Sequence, residues 1–141
     1  MQKLSTMLCT AILLSTSIAQ AADLPISPSP VGARVYIISP ADGEKVNKIV
    51  TVKFGLQGMG VAPAGLDKVG TGHHHLIIDG KSLPDFKKPM GGEIMHFGGG
   101  QTENTIELSP GEHTLQLVLG NYLHIPHNPP VISEKITVFV E

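Results

Sequence analysis

A period of two dominates this chain from residue 34 onward. Val50, Val52, Phe54 and Leu56 alternate with Thr51, Lys53 and Gly55; Leu115, Leu117 and Leu119 share one face, as do Ile136, Val138 and Val140. Successive side chains of a strand point to opposite faces, so this spacing gives each segment one apolar and one polar side. No stretch after the N-terminus carries the 3.6-residue period of a helix. Turn-forming stretches such as Pro40-Ala41-Asp42-Gly43 and Ser109-Pro110-Gly111 separate the runs. About seven short strands, at intervals of roughly a dozen residues, predict an all-β fold: an immunoglobulin-like antiparallel β-sandwich.

The N-terminus is different. Lys3 precedes an apolar run from about Met7 to Ile18, and Ala19-Gln20-Ala21 fits the A-x-A cleavage pattern of a secretory signal. Residues 1–21 therefore read as a cleaved signal peptide, 22–33 as a proline-rich linker and 34–141 as a single β-sandwich domain. The apolar run is shorter than the roughly 20 residues a spanning helix needs, so no membrane span is expected after cleavage. The expected location is the periplasm or the exterior. Cys9 is the only cysteine and leaves with the signal, which excludes a disulfide, a cysteine zinc knot and a cysteine nucleophile in the remainder. With a net charge of −2 and Lys87-Lys88 as the only lysine pair, the chain lacks the basic footprint of a nucleic-acid binder.

Seven histidines, at 73, 74, 75, 96, 113, 124 and 127, carry the chemistry. In a strand, His73 and His75 face one way while His74 faces the other with Leu76 and Ile78. His74 thus belongs to the core or supports a ligand from behind. In immunoglobulin lettering the triple lies at the start of strand C, and His124 and His127 lie in the F–G connection. The B–C and F–G loops meet at one end of such a sandwich. With residues 93–97 read as strand D, His96 falls near the D–E loop at the same end. Neutral imidazoles converging in this way suit copper or zinc. Met95 beside His96, and Met90 nearby, add thioethers that favour copper before zinc.

The expectation is an exported, non-enzymatic binding protein that holds one Cu or Zn ion through His73, His75, His96, His124 and His127. The alternative is a module that contacts an envelope protein, its histidines forming a structural or pH-responsive polar network. A hydrolase or lyase working through metal-bound water requires an open coordination position. No serine sits in a recognisable nucleophile context. In "LSPGEHTL", His113 takes the place of the tyrosine that pins the corner before strand F, and a hydrogen bond back to the backbone is expected. Gly98-Gly99-Gly100 lacks the lysine and the helix of a phosphate loop, so backbone geometry is its expected role.

The blocks "GHHHLIID", "HFGGGQTE", "LSPGEHTLQLVLG" and "HIPHNPPVISEKITV" together resemble the bacterial exported domain-of-unknown-function family 4399 over about residues 45–140. The resemblance implies a small exported domain with histidine-rich motifs and supplies no function. Asn121 and Asn128 stand where the family pattern has Asp, which removes two carboxylates from any cation site.

Overall fold

The computed structural model describes residues 23–141, so the signal-peptide expectation and Cys9 lie outside the described residues. The strands are β1 (Arg34–Ser39), β2 (Glu44–Val46), β3 (Ile49–Gln57), β4 (Gly60–Val61), β5 (Thr71–Ile78), β6 (Met95–His96), β7 (Glu103–Glu107), β8 (Gly111–Gly120) and β9 (Ile136–Val140). They form one sheet in the order β1-β3-β7 and a second in the order β2-β9-β8-β5-β4, with β6 also paired to β5. Among the described residues, no helix is long and apolar enough to cross a membrane.

The expected alternation builds the sandwich. Val35, Val52, Phe54 and Ile106 from the first sheet meet Leu76, Leu115, Leu117, Leu119, Val138 and Val140 from the second, all buried. Taking β1, β3, β5, β7, β8 and β9 as strands A, B, C, E, F and G reproduces the immunoglobulin-like order. β2 continues the first strand and crosses to pair in parallel with β9. One placement differs from the sequence reading. Residues 93–97 do not form a strand D; Met95 and His96 pair with Leu76 and His75 at the edge of β5. His73, His74 and His75 lie in the first half of β5, the strand C of the sequence reading.

The second sheet is covered on its outer side as well. Ile77 and Val118, which point away from the main core, are buried with Met90 and packed by Ile94 and Ile132. The β5–β6 crossover thus lies over the outer face, and Gly72 to Ile77 are all buried. Burial on both faces is unusual for an antiparallel strand. It explains how histidines on the outward side of β5 become interior groups. The 23–33 segment packs against the β8–β9 connection: Ser29 N donates to Asn128 O at 3.1 Å, and Asn128 N to Ser27 O at 3.0 Å.

His113 pins the corner as expected. Its Nε2–H donates to the Ser109 carbonyl at 2.8 Å, and its Nδ1–H to Asp79 Oδ2 at 2.7 Å. The hydrogen bond to Asp79 raises the pKa of His113 and favours the imidazolium, which donates from both nitrogens. Ser109 Oγ is also 3.2 Å from Nε2, so Ser, His and Asp are aligned in the order of a hydrolytic triad. A nitrogen whose proton is committed to the closer carbonyl cannot take one from the hydroxyl. The arrangement ties a corner. His113→Ala should cost about 1–2 kcal/mol in urea denaturation, the worth of charge-assisted hydrogen bonds.

Candidate metal centre

Strand alternation sends His73 and His75 to the outer side of β5, with ring centroids 4.6 Å apart. Gly120 stands opposite His73 on β8. A Cβ at Gly120 would lie 2.5 Å from His75 Cε1, 2.9 Å from His75 Nδ1 and 3.0 Å from the Met90 methyl. The absent side chain is what allows the His75 ring to lie there. His124 reaches over from the β8–β9 connection, its ring 4.8 Å from that of His73 and 5.6 Å from that of His75, edge-on to both. His73 Nε2 and His124 Nδ1 are 3.0 Å apart and share a hydrogen bond. One ring nitrogen from each of the three lies within 4.8 Å of the others. His96 flanks the group from exposed β6, its ring 5.1 Å from His124 and 6.3 Å from His75.

Asn121 shapes the turn that presents His124. Its Oδ1 accepts from Leu123 N at 2.9 Å and Ile125 N at 3.0 Å. Its Nδ2 donates to Pro25 O at 3.0 Å and Ser27 Oγ at 3.1 Å. All four bonds suit an amide; a carboxylate at 121 would lose both donors. His124 itself has φ +65°, a left-handed conformation that few non-glycine residues adopt and that recurs at functional sites. Sequence reasoning treated Asn121 as a missing carboxylate, whereas it positions the loop. Asn121→Ala leaves the buried Ile125 N–H and the half-buried Leu123 N–H unpaired. It should cost about 3 kcal/mol by denaturant titration and weaken any ligand that needs His124.

Burial, followed by the neighbouring His124 and His96, lowers the pKa of His73 to about 4. Burial and then His73 and His124 bring His75 to about 3. His124 is lowered as well, by burial first and His96 second. The cluster is therefore neutral at physiological pH, the form in which imidazole binds metals. His73 Nδ1 and His75 Nε2 are buried with no hydrogen-bond partner among the described residues. A buried polar atom left unpaired costs about 1–3 kcal/mol, so these nitrogens are poorly explained as elements of a satisfied network.

The remaining candidates lie elsewhere. His127 is buried beside the strand ends, with Nε2 3.1 Å from Thr71 O and Nδ1 3.3 Å from Leu119 O. It is not among the three histidines whose nitrogens converge. His74 faces the core as expected, its ring 5.1 Å from Phe54. Neither of its nitrogens has a partner in hydrogen-bonding geometry. Burial holds its pKa near 4, against a weaker upward pull from the Gln101 backbone. Met95 shares β6 with His96 but points to the opposite face. In the glycine triplet, Gly100 has φ +82°, and a Cβ on Gly98 would come 3.2 Å from His96 Cδ2, so the triplet serves a turn and a close approach.

Fold and site together define an all-β sandwich domain with a buried histidine cluster on the outer face of one sheet. The chain belongs to the family described as Domain of unknown function (DUF4399), whose model matches residues 52–141. No curated protein matches it. It is similar to a solved structure of fibronectin(III)-like modules of Clostridium thermocellum CbhA, at 10% identity and a TM-score of 0.39, over 75% of this chain and 92% of that one.

Proposed function

We propose that this chain is an exported metal-binding protein that holds one transition-metal ion, copper before zinc. His73, His75 and His124 serve as ligands, and His96 closes the site from its exposed edge. The observation that carries the reading is the convergence of three imidazoles within 4.8 Å, two of them with a buried, unpartnered nitrogen. Three neutral imidazoles form a borderline donor set, and Cu(II) binds such sites more tightly than Zn(II). A metal–nitrogen bond of about 2 Å lets donors at this spacing reach one ion after small ring rotations. The signal-like N-terminus supports export.

His127 stands outside the ligand set in this reading, since both of its nitrogens face backbone carbonyls. The competing network reading has one observation in its favour, the His73–His124 hydrogen bond. It leaves the unpartnered nitrogens of His73 and His75 without a purpose. Calorimetric titration of tag-free protein with Cu(II), Cu(I) and Zn(II) separates the two. Binding of one ion per chain, lost in His73→Ala/His75→Ala, is the expected result. Binding no tighter than that of a scrambled peptide with the same histidines would sink the metal reading.

A further inference from the structure

We infer that Met90 supplies a thioether ligand to the histidine cluster, making it a site that retains copper as Cu(I). The inference rests on the metal-binding reading and adds a fourth donor and an oxidation state to it.

Three observations place Met90 there. Its backbone N donates to His124 O at 2.8 Å, which ties the crossover segment to the loop that presents His124. Its methyl group and the Cε1 of His75 both press on the position a Gly120 Cβ would take, at 3.0 and 2.5 Å, so the two side chains meet over that glycine. Cε1 is bonded to Nε2, the nitrogen of His75 that is buried without a partner. The end of the Met90 side chain therefore lies beside the Cε1–Nδ1 edge of the His75 ring, with the unpartnered Nε2 one bond further on. Met90 is 7% exposed, so its sulfur faces protein rather than water.

Chemistry supplies the rest. Methionine is unbranched, with three rotatable bonds and a polarisable sulfur, so a small rotation redirects the sulfur without moving the backbone. Thioethers are soft donors that select Cu(I), whereas zinc in imidazole sites gains little from them. A water-excluded pocket of neutral ligands also favours the lower charge of Cu(I). A methionine that only filled space would pack equally well as leucine, and that equivalence makes the test possible.

The experiment compares wild type, Met90→Leu and Met95→Leu, each loaded with Cu(I) or Zn(II). X-ray absorption at the copper edge reads the ligands, and competition titration reads affinity. Wild type and Met95→Leu should show a sulfur neighbour to copper that Met90→Leu lacks. Cu(I) affinity should fall about 10- to 100-fold in Met90→Leu, the usual effect of losing a supporting group at a metal site. Zn(II) affinity should hold within a factor of about 3, which also reports that the variant is folded. Copper bound by nitrogen alone in wild type would overturn the role of Met90 and leave the histidine site standing. No stoichiometric binding of either ion by wild type would overturn both. Should Met90→Leu not fold, the wild-type spectrum alone decides.

Discussion

Lowering the pH from 7 to 5 should destabilise the metal-free protein by roughly 6 kcal/mol, about 2 kcal/mol for each of three buried histidines. In the folded state His73 and His74 have pKa values of about 4 and His75 of about 3. An unfolded histidine titrates near 6.5. Below that value the unfolded chain binds protons that the folded chain refuses, so stability rises with pH and falls on acidification. The loss begins as pH drops through 6.5 and continues until the folded-state values are reached. His113 acts in the opposite direction. Its raised pKa contributes stability that is present below 6.5 and lost as pH climbs, and its ring is close to the surface, so it offsets only part of the effect. Urea denaturation across pH 5–8 reads the slope directly. His74→Leu should remove about a third of it and leave metal binding intact; an unchanged slope would mean that these rings are not buried in the neutral form.

Gly120→Ala should weaken the proposed metal site by about 100-fold while leaving the protein folded, because one methyl group displaces the His75 ring. The new Cβ would meet His75 Cε1 at 2.5 Å and the Met90 methyl at 3.0 Å, both side-chain atoms that can move aside. Its stability cost should be about 1–3 kcal/mol, typical of overpacking. Gly72→Ala is the informative contrast. There a Cβ meets the Gly120 carbonyl oxygen at 2.6 Å, a backbone atom with nowhere to go, and His127 Cε1 at 2.8 Å. That variant should lose more stability than Gly120→Ala and do so on the core side of β5. Thermal melts with and without copper, run on both variants, separate a fault in the fold from a fault in the site.

Much of the sandwich was legible because each strand carries its own period of two. The split of His73 and His75 from His74 followed from the same alternation, and the corner role of His113 from its local spacing. The covering of the outer face was not legible. The 80–94 segment has no period, and its contact with Ile77 and Val118 is a long-range packing event with no local signature. His96 reaches the cluster by pairing with His75 at a sheet edge rather than through a strand D. His124 and His127 looked like a pair in sequence, yet an odd spacing along extended chain tends to place residues on opposite faces. The left-handed turn at His124 completes that separation. Gly120 carried no signal and Asn121 stood out only as a missing carboxylate, since only the assembled site gives either residue something to accommodate.

The proposed site requires one ion among His73, His75 and His124. Anomalous diffraction at the copper edge, from crystals of the copper-loaded protein, tests it most directly. A single strong peak is expected about 2 Å from one nitrogen of each of these three histidines. A peak elsewhere on the surface, or none at these rings at full copper loading, would contradict it.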